Sequence, residues 1–152
     1  MKKSLRDIVN LEKYPIHDLE SPKIKGIIEK CKLEIEKDSC SKIPNFILPK
    51  SLKVMKEELE QQLDEVYMSK ESINAYLYAK DDPTLPKDHP KRIFMKRFNG
   101  YLNSDCFEKN SEMKFLYETE ELLKFVSACL GISPIYRWAD PLACHAYNVM
   151  EP

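Results

Sequence analysis

Apolar residues recur at helical spacing in three parts of the chain. The first part follows Ser21 and Pro22, which suit the N-cap and the first position of a helix. Its apolar face continues to about Asp38 and consists of Ile24, Ile27, Ile28, Cys31 and Ile35. The second part follows Ser51, a predicted N-cap, and its apolar stripe consists of Leu52, Met55, Leu59, Leu63 and Val66. Two amphipathic helices are therefore predicted in the first half.

The third helical pattern runs from Ser111 to Leu130. Its apolar face consists of Leu122, Phe125, Val126, Cys129 and Leu130. Gly131 follows at once and suits a helix C-cap, because glycine adopts the left-handed conformation without strain. A helix ending at residue 130 is therefore predicted.

Strand-like segments are shorter and lie mostly later in the chain. "KIPNFILPK" fits a strand or an extended connector between prolines. "INAYLYA" (Ile73 to Ala79) is β-branched and aromatic, and "IFMKRFNGYL" is a strand pattern that reaches a turn signal at Asn99-Gly100. "PIYRWAD" and "CHAYNVM" are the last two strand candidates, and "KDDPTLPKDHPKR" is too rich in proline and aspartate for regular structure.

Helices that precede most of the strands favour an α+β fold with an antiparallel sheet. The expected organisation is a single domain over residues 1–152. Residues 1–20 form an arm that packs on the body, residues 21–131 are mainly helical, and residues 132–152 form strands.

Composition narrows the possible functions. The formal net charge is -1 and the basic residues alternate with acidic ones, so a nucleic-acid partner is not expected. No apolar run follows Met1 and no stretch is long enough to span a bilayer, which argues against secretion and against a membrane partner. The five cysteines include no C-x-x-C pair, so reduced thiols in a cytoplasmic protein are expected.

The cysteines and histidines are the candidates for a nucleophile or a metal site. Cys144 and His145 are neighbours, but on a strand they point to opposite faces, which disfavours a cysteine nucleophile. His145 is instead expected to be a packed or hydrogen-bonded strand residue. The three histidines are far apart and none belongs to a His-x-Asp pair, so spacing alone disfavours a metal site.

Three charged residues have two interpretations each. Arg92 and Arg97 either bind a carboxylate bidentately or serve as exposed or structural arginines. Asp140 precedes Pro141, so it either caps a turn through the backbone two residues on or binds a substrate amine, and the turn is favoured.

Five blocks together resemble a known family. They are "LRDIVNLEKYPI", "DDPTLPKDHPKR", "NGYLNSD", "LYETEELLKFVSACLG" and "YRWADPLACHAYNVMEP". In this order they resemble the small Fe(II)- and 2-oxoglutarate-dependent oxygenases that include free-amino-acid hydroxylases and lysine halogenases. The pattern D-P-x-L-P-x-x-H-P-x-R with a later A-D-P-L is the most specific part of the resemblance.

The resemblance implies a helical layer packed on the first antiparallel strands of an incomplete double-stranded β-helix, or jelly roll. The family's His-x-Asp or His-x-Gly motif, its second histidine and its 2-oxoglutarate-binding arginine would follow Pro152, so no catalytic residue or metal ligand is assigned here. Part of an amino-acid pocket is expected from Arg92, Arg97, Asp140 and Asn148. Fe(II) and 2-oxoglutarate belong to the complete enzyme, and tight binding of either to this chain alone is not expected.

Three functions remain open at this point. The first is an amino-terminal oxygenase fragment for a free amino acid or a similar small substrate, inactive alone. The second is a binding module derived from that fold, which forms a homodimer or joins a separate catalytic half through the strand "CHAYNVM", because an unpaired strand edge invites pairing. The third is an unrelated small hydrolase that uses Cys144 or Cys129.

Overall fold

The computed structural model describes residues 3–140, 142 and 144–149. Within them lie five α-helices: α1 (Leu5–Ile8), α2 (Pro22–Asp38), α3 (Pro49–Glu60), α4 (Glu112–Glu118) and α5 (Glu120–Leu130). The strands are β1 (Tyr67–Asn74), β2 (Phe94–Asn103) and β3 (Ala146–Val149), joined in one antiparallel sheet of order β1-β2-β3. The predicted α+β class is confirmed.

The helices enclose the main hydrophobic core, to which the amino-terminal arm contributes. Helix α2 packs on α5, and α3 and α5 each pack on α4. From the arm, Ile8, Val9 and Ile16 are 0 to 1% exposed. Tyr14 is buried as well, and its hydroxyl donates a 2.7 Å hydrogen bond to the carbonyl of Pro44. The described part of the arm, residues 3–20, therefore contributes to the core itself.

Helix α3 begins earlier than predicted. Its N-cap is Leu48 and Pro49 occupies the first turn, where the missing N–H of proline has no consequence. Ser51 lies inside the helix, fully buried, and its hydroxyl donates to the Asp7 carbonyl at 2.9 Å. The prediction that Ser51 caps this helix was wrong, whereas Ser21 and Pro22 begin α2 as predicted.

The predicted third helix is two helices. Thr119 is extended, with φ -73° and ψ 134°, and separates α4 from α5. Arg137 holds this break, because its guanidinium donates to the carbonyls of Tyr117 at 3.2 Å and Glu118 at 2.8 Å. Gly131 is the C-cap of α5 with φ 67°, as predicted.

Strand positions correct several predictions. Strand β1 begins at Tyr67 and ends at Asn74, where the Asn74 side chain accepts hydrogen bonds from the backbone of Tyr76 and Tyr78 and forms a turn. The predicted strand at 73–79 is therefore mostly this turn. "PIYRWAD" is not a strand, and β1 and β2 both lie within the part expected to be mainly helical. In "KIPNFILPK" (42–50), residues 44–45 form a turn, Ile47 makes a bridge with Val9, and residues 49–50 already belong to α3.

Asn99 and Gly100 lie inside β2 and do not form a turn. Gly100 is needed there for packing. A Cβ at this position would lie 2.6 Å from the Met68 sulfur, 2.7 Å from Val66 Cγ1 and 3.0 Å from Val149 Cβ. The Asn-Gly pair therefore marks a close approach between strands.

Candidate functional site

Seven residues with polar side chains lie on one side of the sheet, and they are here called the polar face. Arg97, Asn99 and Tyr101 alternate along β2 and so project to the same side. The register adds Glu71 opposite Arg97, Ser69 opposite Asn99, and Tyr67 and Asn148 on either side of Tyr101. The other side of β2 carries Gly100 and Leu102, both buried. Hydrogen-bonding groups are thus gathered on the side that the core does not use.

Arg97 is held in place by its neighbours on β2. Its Nη2 donates to the Tyr101 hydroxyl at 2.8 Å. With the Asn99 amide oxygen turned toward the guanidinium, that oxygen accepts from Nη2 at 3.0 Å, from Nε at 3.1 Å and from the Tyr101 hydroxyl at 3.0 Å. This orientation satisfies both ends of the amide, because the Asn99 nitrogen then donates to the Phe98 carbonyl. The three side chains form a closed network.

No carboxylate among the residues that the structure describes forms an ion pair with Arg97. None of the ion pairs among the described residues includes Arg97 or Glu71. Nη1 of Arg97 has no hydrogen-bond partner in this part of the chain either. A guanidinium fixed by a tyrosine and an asparagine, with one nitrogen still available, is suited to bind an oxyanion such as a carboxylate.

An apolar cleft lies next to Arg97. Its volume is about 640 Å³, and Ile73, Leu77, Met95 and Arg97 are among its lining residues. Ile73 and Met95 are cross-strand partners. They form the next pair after Glu71 and Arg97 on the same side of the sheet. Ile73 is only 8% exposed and forms the floor of the cleft. Arg97 borders this cleft, while its guanidinium is held toward Asn99 and Tyr101, on the far side of Arg97 from Met95.

The other two predicted site residues lie elsewhere. Arg92 forms a bidentate pair with Asp81, from Nε at 2.9 Å and Nη2 at 2.8 Å, and its Nη1 donates to the Leu85 carbonyl at 2.9 Å. This hydrogen bond from Arg92 lowers the pKa of the Asp81 carboxyl. The Asp140 carboxylate accepts from the Leu142 backbone at 2.9 Å, so the favoured turn-capping interpretation of Asp140 is confirmed. The structure therefore brings together Arg97 and Asn148, and it gives Arg92 and Asp140 local structural partners.

Cys144 and His145 meet, contrary to the sequence argument. They precede β3 in a bend, so strand alternation does not apply, and the Cys144 sulfur lies 3.3 Å from Nδ1 of His145. The His145 ring lies 5.7 Å from that of Tyr117 and 6.2 Å from that of Phe107. Burial, followed by the nearby Lys114 charge, lowers the pKa of His145 and favours the neutral imidazole. His145 is therefore packed, as expected, but it is not a strand residue as predicted, because β3 begins at Ala146.

Among the described residues, no group of three or more His, Cys, Asp or Glu side chains is placed to hold a metal ion. The residues that the structure describes therefore do not fit an iron site, and no iron ligand is assigned to them. No helix in the described part of the chain has the length and apolarity required to cross a membrane.

Sequence reasoning selected Arg97 but did not identify the residues that surround it. Glu71, Asn99 and Tyr101 were not singled out, although polar side chains at 97, 99 and 101 form an alternating pattern that a strand places on one side. Comparisons of the chain with protein-family models, with curated proteins and with solved structures give no match.

Proposed function

We propose that this chain is the amino-terminal part of a non-haem Fe(II)- and 2-oxoglutarate-dependent oxygenase that acts on a free amino acid or a similar small substrate. The supporting observation is the Arg97 guanidinium, which Asn99 and Tyr101 hold by hydrogen bonds and which forms no ion pair with a described carboxylate. Arg97 also borders an apolar cleft. A three-stranded antiparallel sheet, with Gly100 and Leu102 buried on one side, is also compatible with an incomplete double-stranded β-helix.

In this proposal the polar face supplies part of the substrate pocket. Arg97 binds the substrate carboxylate through the guanidinium nitrogen that lacks an internal partner. Asn99 and Tyr101 orient Arg97, so little side-chain entropy is lost when the carboxylate binds. Asn148 contributes an amide from the edge strand, across from Tyr101.

The oxidative chemistry belongs to iron and 2-oxoglutarate when these are bound by the complete enzyme. No group of described His, Cys, Asp or Glu side chains is placed to hold the iron, and the part proposed for this chain is to bind and orient the substrate. The chain alone is expected to bind substrate weakly and to lack oxygenase activity.

Substrate binding is tested by isothermal titration of short aliphatic amino acids into the wild-type chain and into Arg97→Gln. Arg97→Gln is expected to weaken binding at least tenfold, since a charge-assisted hydrogen bond is lost. Arg6→Gln is the matched control, because Arg6 is an exposed arginine on α1. Equal affinity of wild type and Arg97→Gln would contradict the assigned pocket.

The family is tested separately by sequencing the source DNA beyond the codon for Pro152. We expect the DNA to encode a following strand with His-x-Asp or His-x-Gly, either in frame or in an adjacent gene. The residue after His-x distinguishes a hydroxylase, which has aspartate, from a halogenase, which has glycine. Absence of this motif from both places would refute the oxygenase assignment. Tight, stoichiometric and 2-oxoglutarate-dependent Fe(II) binding by residues 1–152 would refute the placement of the metal site outside this chain.

A second candidate function is supported by the position of β3. Strand β3 lies at the edge of the sheet and pairs only with β2 among the described residues. An edge of this kind pairs readily with another strand, so the chain would act as a module that joins a second copy or a separate catalytic subunit. Light scattering over a wide concentration range tests self-pairing, and a monodisperse monomer at every concentration would count against the homodimer.

A further inference from the structure

The turn after β1 and the start of β2 together expose an apolar surface. Tyr76, Leu77 and Tyr78 lie in the turn, and each is more than half exposed. Ile93 and Met95, on the β2 side of the hairpin, are more than half exposed as well. These five residues are here called the apolar tip. Neighbouring exposed side chains of this size mark a surface that binds a protein or a membrane.

The apolar tip lies at the end of the sheet that is farthest from β3. Strand β3 pairs with residues 100–103 of β2, whereas the tip adjoins the opposite end of the hairpin, where Asn74 pairs with Phe94. Gly100 lies six residues along β2 from Phe94, a distance of about 20 Å at the usual rise of a strand. Among the described residues, the tip is therefore the end of a two-stranded ribbon, and it can meet a surface without involving β3.

The turn is held in one conformation by the buried side chain of Asn74. Its amide oxygen accepts from the backbone of Tyr76 at 2.9 Å and of Tyr78 at 3.1 Å, and its nitrogen donates to the Lys91 carbonyl at 2.6 Å. Leu77, between the two tyrosines, has φ 63°, which is uncommon for leucine. This exposed leucine adds strain and does not contribute to the core, so a role in binding accounts for it better than a role in folding.

Lysines surround the apolar tip. The Lys91 ammonium lies 5.8 Å from the ring centre of Tyr76 and 6.0 Å from that of Tyr78. Lys80 lines a cavity of about 310 Å³ beside Tyr78, and Lys96 borders the apolar cleft on the other side of the hairpin. None of these three lysines belongs to an ion pair among the described residues. Their charges are therefore available to an anionic partner.

The acidic groups near the tip offset these charges only in part. Asp81 is paired with Arg92, and Asp82 accepts hydrogen bonds inside the loop while it lines the same cavity as Lys80. Residues 74–96 contain five basic and three acidic side chains, whereas the whole chain has a formal net charge of -1. The tip is thus the positive part of a protein that is slightly negative overall.

We propose that the apolar tip inserts into a lipid bilayer that contains anionic headgroups. Leu77 enters the acyl region, and Tyr76 and Tyr78 lie at the level of the headgroups, where tyrosine is enriched. The surrounding lysines contact the anionic headgroups. A bilayer suits the end of a ribbon better than a protein partner does, because it accepts apolar side chains without a matching pocket.

This inference goes beyond the proposed function and does not depend on it. The expectation of no membrane partner came from the lack of a segment long enough to span a bilayer, and peripheral binding needs no such segment. The charge of the whole chain also conceals the positive charge of the tip.

The test is co-sedimentation of the chain with vesicles of phosphatidylcholine alone and of phosphatidylcholine mixed with phosphatidylserine. Wild-type chain is expected to bind the mixed vesicles about tenfold more tightly or better, because each lysine near an anionic surface contributes about fivefold. Leu77→Asn is expected to weaken this binding about tenfold, since burial of the leucine is lost. Asparagine tolerates positive φ, so the turn and the Tm are kept. Leu33→Asn, at an exposed leucine on α2, is the matched control and keeps the wild-type affinity.

A second variant tests the charge separately from the apolar contact. Lys91→Gln is expected to bind the mixed vesicles about fivefold more weakly and vesicles of phosphatidylcholine alone as wild type does. Lys37→Gln, at an exposed lysine on α2, is its matched control and keeps the wild-type affinity for both.

Each contrary result overturns a stated part of the inference. If Leu77→Asn binds the mixed vesicles as tightly as wild type, the tip is not the membrane-binding surface. If wild type binds both kinds of vesicle equally and Lys91→Gln changes nothing, the anionic headgroups have no role. If wild type binds neither kind, the inference as a whole is overturned. A dimer that light scattering detects and that Leu77→Asn abolishes, without vesicle binding, would assign the tip to a second copy of the chain instead.

Discussion

Replacement of Gly100 by alanine should destabilise the sheet, although it adds only one methyl group. Gly100 lies in β2 between β1 and β3, and the new Cβ would lie 2.6 Å from the Met68 sulfur and 2.7 Å from Val66 Cγ1. The sulfur belongs to a flexible side chain and can move. Val149 Cβ, at 3.0 Å, is bonded directly to the β3 backbone, so it yields only if the edge strand shifts.

The net effect is the difference between two opposing contributions. Overpacking of this kind destabilises by about 1–3 kcal/mol. Alanine also restricts the unfolded chain, which stabilises by about 0.4–1 kcal/mol. We expect the free energy of unfolding to fall by about 1–2 kcal/mol, which corresponds to a decrease in Tm of about 2–8 °C for a chain of this size.

The assay is thermal or urea unfolding, with Gly26→Ala as the matched control. Gly26 lies in α2, is exposed, and a Cβ there would meet nothing within 4 Å. Gly26→Ala should therefore raise the free energy of unfolding by about 0.5–1 kcal/mol, because glycine in a helix interior is unfavourable. The same added methyl group is thus expected to lower the free energy of unfolding at Gly100 and to raise it at Gly26. A Gly100→Ala variant as stable as wild type would refute the close packing of β1, β2 and β3 at Gly100.

Three further predictions concern buried polar groups. Ser51→Ala should reduce the free energy of unfolding by about 1 kcal/mol, since it removes the hydrogen bond from the buried Ser51 hydroxyl to the Asp7 carbonyl of α1, and urea unfolding measures this loss. Burial lowers the pKa of His145, so as the pH decreases the unfolded state binds a proton at this residue before the folded state does. The free energy of unfolding should therefore fall as the pH decreases below the ordinary histidine pKa. His145→Gln should remove this part of the pH dependence, as measured by unfolding curves at several pH values. Burial raises the pKa of Cys129 to about 12, so iodoacetamide at pH 8 should label the exposed Cys40 well before Cys129, as read by mass spectrometry, and equal labelling rates would contradict the described core.

Local signals in the sequence predicted part of the fold. Pro22 in the first turn of α2 and Gly131 at the C-cap of α5 act through their own backbone conformations, so both ends are readable without tertiary structure. Ser51 showed the limit of this reasoning. Its hydroxyl binds a carbonyl 44 residues away, a partner that no local pattern indicates.

The sheet was harder to predict than the helices. Strand β1, "YMSKESIN", is mostly polar and is a strand because it pairs with β2 along its whole length. The more apolar residues after Asn74 form the turn instead, since the Asn74 side chain binds their backbone. Strand pairing is a tertiary interaction, and it overrode the local preference.

For the site, residue type alone did not distinguish Arg92 from Arg97. Both were equally good carboxylate ligands by sequence. Asp81, eleven residues before Arg92, already occupies that guanidinium. The Arg97 guanidinium is instead held by Asn99 and Tyr101, and no carboxylate in the described part of the chain forms an ion pair with it. The difference comes from which groups the fold places around each arginine, and that depends on the loop and strand geometry.

The pairing of Arg92 with Asp81 has a consequence for how this chain is compared with others. It closes the segment "DDPTLPKDHPKR" into a loop, inside which Asp82 accepts from Thr84, and His89 accepts from the Lys91 backbone. Polar residues that make this block distinctive are thus occupied in maintaining its own shape. A distant protein detected through this block would share a loop conformation, and the same loop is compatible with quite different reactions. Evidence of common chemistry has to come from the residues opposite and beside Arg97.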